Sequence, residues 1–410
     1  MHTLKENTLS DIRITGIRVR ALDVRPLDGA PLRETVRKEG APTLGGPISA
    51  FDDVRERGRA YWGPVGLVLV EVETDAGITG IGTAGAGNIG TSALIEHQFG
   101  PLIVGEDPFN TELVWAKMYR TSLRYGRRGS AISAISAIDI ALWDIMGKAL
   151  GVPVYELLGG RSKEDVQVYA SKLYATADLD ELADEARGYV AEGFTMMKQR
   201  FGYGPEDGPK GVRGNVALVQ KLRETVGEDI EIAADAYMGW DLEYSIMMER
   251  KLRPYGLKWI EEPLMPHDVT GYERLSAISQ TPISHGEHCY TRYDFQELLD
   301  RKAGHILQPD VNRVGGITEA RKIFAMGAAR DIPMIPHSNE MHNLHLVISQ
   351  LNCPFAEYFP DHQGVDRNSM FWNLFSGNPV QQNGRLSLGR TPGLGYSVNE
   401  DVAELFTVKL

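Results

Sequence analysis

Five ionisable residues stand at nearly even intervals in the second half of the chain: Asp235, Glu261, Glu287, Asp310 and His337, separated by 26, 26, 23 and 27 residues. Each ends a short apolar run. The runs read "IEIAADA", "LKWIEEP", "PISHGE", "HILQPD" and "PMIPHS", and three others, "VQVYA", "TMMKQR" and "FAEYF", share their texture. Helical stretches separate them. Apolar runs alternating with helices argue for parallel strands joined by crossover helices. Eight such runs predict a (β/α)8-type barrel, with an open doubly wound sheet as the rival. In a barrel, the C-terminal strand ends build the active site, so a ladder of polar groups in register there is expected to face one mouth.

The chain before about residue 160 is of another kind. Residues 11–24 alternate apolar and polar as a half-buried strand, and residues 66–82 read as two strands about the turn "TDAG". A polar, Pro/Gly/Arg-rich stretch at 25–63 is long enough to be a lid or a disordered loop. Residues 130–149 have apolar residues at helical spacing and small residues suited to close packing. The length of 410 residues calls for a large barrel or sheet domain plus a smaller unit.

Charge and composition exclude some functions. A net charge of -12 argues against a nucleic-acid partner, though not against a small anion at a locally positive site. The two cysteines, Cys289 and Cys353, have no paired spacing, which speaks against a disulfide scaffold or a Cys-based zinc site. The N-terminal stretch lacks a secretory h-region, and no run reaches the ~18 apolar residues of a membrane span. A cytoplasmic protein with no membrane partner is expected.

The chemistry follows from the ladder. Three carboxylates meeting at one point repel unless a cation joins them. Oxygen-only ligation suits a hard divalent ion, so Asp235, Glu261 and Glu287 are expected to hold Mg²⁺. Glu262, next to an inward Glu261, is expected to face the other side. Asp310 beside His337 makes an Asp–His pair in which the imidazole is the general base and later the acid. Lys198 and Arg200, two apart on one run, share a face and can bind a carboxylate. Glu357, if protonated, could donate a hydrogen bond to an enolate oxygen. Together these groups suit removal of a proton α to a carboxylate, followed by loss of a β-hydroxyl. The stretch "GIGTAG" at 80–85 matches a dinucleotide fingerprint, but it ends a hairpin rather than opening a βαβ unit.

The stretches "TMMKQR", "AADAYMGWD", "LKWIEEPL", "SHGEHCYTRYDF", "HILQPDVNRVGG", "IPHS" and "FAEY", with "AIDIALWDIMGKALGVPVYELLGG", resemble the enolase superfamily in its mandelate racemase-like branch. That resemblance implies a (β/α)7β barrel with an α+β capping domain, Mg²⁺, and the site roles assigned above. It places the capping domain with its lid at 1–155, the barrel at 156–372, and at 373–410 a segment returning to the cap. "FGYGPEDGPKGVRGN", "YGLKWIEE" and "PGLGYSVN" are similar to acid-sugar dehydratases of the rhamnonate dehydratase type. These convert a sugar acid to a 2-keto-3-deoxy acid. A homo-oligomer is the expected assembly.

Two departures matter. Where many members have Lys-x-Lys, this chain has Lys198-Gln199-Arg200, and an arginine is a poor base. His337 is then expected to act alone, which suits dehydration better than two-base racemisation. The lid has no histidine between His2 and His97. It offers Arg33, Arg37, Lys38, Arg55, Arg59, Tyr61 and Trp62; Arg33, Arg59, Tyr61 and Trp62, with His288, are the candidate substrate-binding residues. The substrate is expected to be a monoacid sugar, lyxonate- or rhamnonate-like. The alternatives are an epimerase or cycloisomerase using the same enediolate chemistry, and a non-catalytic barrel.

Overall fold

The computed structural model describes residues 12–23, 44–51, 65–85, 89–360 and 373–408. Strands β1 (Ile14–Asp23), β2 (Val65–Thr74) and β3 (Thr79–Gly85) form an antiparallel sheet in the order β1-β2-β3. The β2–β3 turn relies on Gly77, whose φ of 71° is a left-handed conformation that glycine adopts without strain. Helix α1 (Thr111–Ser122) packs on the longer α2 (Ser130–Leu150), and α2 covers the sheet.

The glycines of "GIGTAG" have a packing purpose. A Cβ on Gly80 would strike the carbonyl of Ala141, and one on Gly82 would strike that of Ala137. Their absence lets α2 lie directly on β3, as the small residues of the helix also require. The motif opens no βαβ crossover, so the dinucleotide reading falls away. Among the described residues α2 alone is long and apolar enough to cross a membrane, and 89% of its apolar window is buried within the protein.

The second half curls into a parallel barrel. Its strands are β4 (Val166–Ser171), β5 (Met196–Arg200), β6 (Glu231–Asp235), β7 (Ile260–Glu261), β8 (Ile283–His285), β9 (Ile306–Leu307) and β10 (Phe355–Tyr358). They pair in the order β10-β4-β5-β6-β7-β8-β9. The run "PMIPHS" is a stave reduced to one bridge, Leu307 with Met334. Met334 N–H donates to the Asn352 carbonyl, which joins this stave to the approach to β10. The outer helices include α3 (Leu179–Ala191), α4 (Gly208–Val226), α5 (Leu242–Leu252), α6 (Val269–Ile278), α7 (Thr291–Asp300), α8 (Gly316–Ala328) and α9 (Met341–Ser349).

Strand alternation stacks the lumen in layers. Tyr169, Met196, Ala233, Trp259, Ile306 and Ile335 form a buried apolar plug. Two residues further along four of these staves stand Ser171, Lys198, Asp235 and Glu261. A dry floor thus lies directly under the polar groups. The C-terminal segment returns to the first sheet: Thr407 bridges to Leu22, and Glu400 on α10 (Glu400–Phe406) pairs with Arg20 at 2.7 Å.

Candidate active site

β5, β6 and β7 run in parallel register, with Arg200 beside Asp235 and Asp235 beside Glu261. Glu287 lies two residues past β8, and Asp310 is the N-cap of a short turn after β9. Backbone just beyond the strand ends is strained: Tyr237, Met238, Glu262 and Ser338 have φ of 45°, 60°, 40° and 79°. Non-glycine residues in this region are uncommon and gather at functional sites.

Asp235, Glu261, Glu262, Glu287, Asp310 and Glu357 are all buried. Lys198 Nζ ion-pairs with Glu261, lies 2.9 Å from Glu357 Oε1 and is 3.9 Å from Asp235 Oδ2. Arg200 Nη1 donates to Asp235 Oδ2 at 2.5 Å, and its Nη2 donates to Ser171 Oγ at 3.2 Å. The other oxygen of Glu261, Oε2, accepts from Trp259 Nε1 at 2.9 Å and Gln308 Nε2 at 2.8 Å. Arg313 Nη1 reaches Glu287 Oε1 at 3.3 Å, and its Nε lies 3.1 Å from Asp310 Oδ2.

His337 Nδ1 is 2.9 Å from Asp310 Oδ2. That contact assigns the proton on Nδ1 to Asp310 and leaves Nε2 facing the mouth, 3.6 Å from Glu287 Oε2. Burial disfavours the charged imidazole, but Glu287, the Asp310 bond and Glu357 outweigh it and push His337 up to about 10. Glu287 supplies the largest of these pulls, so the proton affinity of His337 depends on what else shares that carboxylate. Burial opposes charge on Arg200 too, yet Tyr174, Asp235 and Glu357 raise its pKa further. A guanidinium so held is not a base.

Two expectations need correction. Glu262 does not turn away. Its positive φ breaks the strand alternation, and its carboxylate meets His288 Nδ1 at 2.9 Å. Glu262, Glu287 and His288 are the one group of three ligand-type side chains among the described residues whose atoms all lie within 4.8 Å of one another. Asp235 and Glu261 stand beside that group and turn toward Arg200 and Lys198 instead, because the two cations of β5 compete for them. Glu357 is not a neutral donor. Although burial favours its protonated form, Lys198, His337 and Arg200 hold it down at about 2, and it accepts hydrogen bonds from Ser171 Oγ and Ser338 N–H, both at 2.6 Å. The lid residues Arg33, Arg59, Tyr61 and Trp62 lie outside the described residues.

The donor set fits a divalent cation. Six buried acids face three permanent cations, Lys198, Arg200 and Arg313. Glu261 records the deficit: burial first, then the charges of Asp235, Glu357 and Glu287, outweigh Lys198 and push it up to about 7. Among the described groups, Arg313, Trp259, Gln308 and Ser171 escaped sequence reasoning. Trp259 and Gln308 sit two residues before Glu261 and Asp310, and strand alternation could have put them on the same face.

Comparison with known proteins agrees with the fold. Residues 181–402 match the enolase C-terminal domain-like family, and residues 63–159 match the mandelate racemase / muconate lactonizing enzyme N-terminal domain. An L-rhamnonate dehydratase of Saccharopolyspora erythraea is 36% identical over 360 residues, 87% of this chain and 89% of that protein. The structure of rhamnonate dehydratase from Gibberella zeae complexed with Mg superposes with a TM-score of 0.84 at 32% identity, covering 99% of this chain and 98% of that one. A 3,6-anhydro-D-galactonate cycloisomerase from Zobellia galactanivorans has a TM-score of 0.79 at 27% identity, covering 97% and 100%.

Proposed function

The chain belongs to the enolase superfamily, in its mandelate racemase/muconate lactonizing branch, and we propose from that membership that it is a Mg²⁺-dependent dehydratase of a monoacid sugar. It takes an aldonate, lyxonate- or rhamnonate-like, to the 2-keto-3-deoxy acid, and works in the cytoplasm. The observation that carries this reading is the placing of His337, whose Nδ1 is held by Asp310 and whose Nε2 is turned to the mouth beside Glu287, together with an arginine rather than a lysine at position 200.

Asp235, Glu261 and Glu287 would hold the cation, which draws charge from the substrate carboxylate and lowers the barrier to an enediolate. Lys198 and Arg200, now on those carboxylates, can then turn to the substrate carboxylate. His337 Nε2 takes the C2 proton. The same nitrogen returns it to the departing C3 hydroxyl, so water leaves and an enol remains, which becomes the 2-keto acid. Asp310 keeps the ring oriented through both transfers. Glu357, as a carboxylate bonded by Ser171 and Ser338, orients Lys198.

The test is a sugar-acid library incubated with Mg²⁺ and read for 2-keto acid with a carbonyl reagent. One or a few aldonates should turn over, and His337→Asn should abolish turnover while leaving cation binding intact. Exchange of the C2 proton with solvent without 2-keto acid would favour an epimerase or cycloisomerase instead. The likeness to the Zobellia cycloisomerase makes that the second reading.

A further inference from the structure

We infer that Thr83, on strand β3 ahead of the barrel, is a positioning residue for the proton transfer: through Asn312 it fixes the Asp310 carboxylate and so the aim of the His337 ring. The inference takes its chemistry from the dehydratase reading above and its geometry from one turn.

Strand alternation divides β3 between two neighbours. Gly80 and Gly82 face α2. Ile81 and Thr83 face the barrel: Ile81 shares a buried apolar cluster with Leu67, Leu69 and the barrel wall, and Thr83 pairs with Leu69 across the sheet. Thr83 puts a hydroxyl on that apolar face, 1% exposed. Valine has the same shape and suits a strand as well, so packing alone gives no reason for a hydroxyl there. Its Oγ1 donates to Asn312 Oδ1 at 2.9 Å. Asn312 is fully buried, and among the described residues its Nδ2 has no hydrogen-bond partner. A half-satisfied buried amide costs free energy, so the stability of the contact does not explain this pair.

What the pair reaches does explain it. Asn312 belongs to the turn Val311–Val314, which Asp310 caps. Its N–H donates to Asp310 Oδ1 at 2.8 Å, while the opposite oxygen, Oδ2, holds His337 Nδ1 at 2.9 Å. Both oxygens are engaged, so the place of Asn312 sets the plane of the carboxylate that orients the imidazole. The far end of the turn is held from the same side. Trp115 Nε1 donates to the Gly315 carbonyl, and Gly315 N–H donates to Ser136 Oγ, both at 2.9 Å. A Cβ on Gly316, whose φ is 80°, would lie 2.4 Å from Asp139 Oδ2. Helices α1 and α2 thus fix the exit of the turn, and Thr83 takes hold beside Asp310, across 229 residues of sequence.

Thr83→Val deletes the donor at constant shape. With L-rhamnonate as the probe and Mg²⁺ in excess, kcat should fall by about 10–100-fold while KM stays within about twofold. Thr83→Ser keeps the hydroxyl and should recover most of kcat. Trp143→Phe is the control. It deletes another buried bond onto the barrel, from Nε1 to Thr318 Oγ1 at 2.8 Å, and should lower Tm without lowering kcat. Amide hydrogen exchange of residues 308–316, read by mass spectrometry, follows the tether without turnover and should quicken about tenfold in Thr83→Val. Unchanged exchange there overturns the inference, whether or not L-rhamnonate is turned over. With an active wild type, an unchanged kcat in Thr83→Val, a loss that Thr83→Ser does not recover, or an equal loss in Trp143→Phe overturns it too. An inactive wild type whose turn still exchanges faster in Thr83→Val counts against the reaction with that acid and for the tether.

Discussion

Trp259→Phe is a small change with a large expected effect. Trp259 is fully buried in the plug under the site, where its indole N–H donates to Glu261 Oε2 at 2.9 Å and its ring meets Tyr169 edge-on at 5.5 Å. Phenylalanine keeps an aromatic ring there and deletes the donor. Loss of a hydrogen bond to a carboxylate costs ~1.5–3 kcal/mol, and the smaller ring adds ~1 kcal/mol of lost packing. Gln308 still donates to the same oxygen at 2.8 Å, so the lower end, ~2–3 kcal/mol in all, is expected. Over 410 residues the unfolding entropy is ~0.9 kcal/mol per degree, so Tm should fall by about 3 °C. With Oε2 released from one of its two holders, Glu261 is less well aimed. Mg²⁺ affinity, read by calorimetric titration, should fall by ~10–100-fold. Gln308→Leu should do the same, and the double variant should lose less than the sum, because both donors serve one oxygen. An unchanged melt and an unchanged Mg²⁺ isotherm for Trp259→Phe would refute the idea that this pair aims Glu261.

Arg200→Lys should lower turnover by ~10–100-fold, since an ammonium cannot span Asp235 and Ser171 as the guanidinium does, while leaving the shape of the pH–rate profile alone. A new titrating limb would mark position 200 as a proton carrier. Lys163 donates from Nζ to the carbonyls of Val347 and Gln350 at 2.8 Å and of Cys353 at 2.6 Å, tying the end of α9 to the approach to β10. Lys163→Met should cost ~2 kcal/mol, or about 2 °C in a thermal melt, given partial exposure to solvent. Burial lifts Asp139 to about 7. A carboxyl whose folded pKa is raised holds its proton in the folded state and releases it on unfolding. The Asp139 contribution to stability should therefore fall as pH rises from about 4 to about 7 and then level off. Asp139→Asn removes this slope, and denaturant melts at pH 5 and pH 8 should show the variant gaining on wild type by roughly 2–4 kcal/mol at the higher pH.

The barrel was legible because strand ends recur at one spacing, and spacing survives any detail of side-chain packing. Asp235 and Glu261 do end neighbouring staves, and Lys198 and Arg200 do share a face with them. Alternation served less well where the chain leaves the strand. Glu262 takes a left-handed φ, and a rule of period two cannot follow it across that residue. Glu357 was misread for a different reason. Its charge state is set by Lys198, His337 and Arg200, which come from two other places in the chain and meet only in the folded mouth. Arg313 stayed hidden because it serves Glu287 from the turn after the next stave. The glycines at 80 and 82 show the converse: the motif was visible, but only the helix lying on it gives its meaning.

The most direct measurement is a crystal of the full chain soaked in Mn²⁺, a stand-in for Mg²⁺, with an anomalous difference map. One peak bounded by oxygens of Asp235, Glu261 and Glu287, with Lys198 and Arg200 withdrawn from them, is the predicted result. A peak held instead by Glu262, Glu287 and His288, or no peak in the barrel mouth, would contradict it.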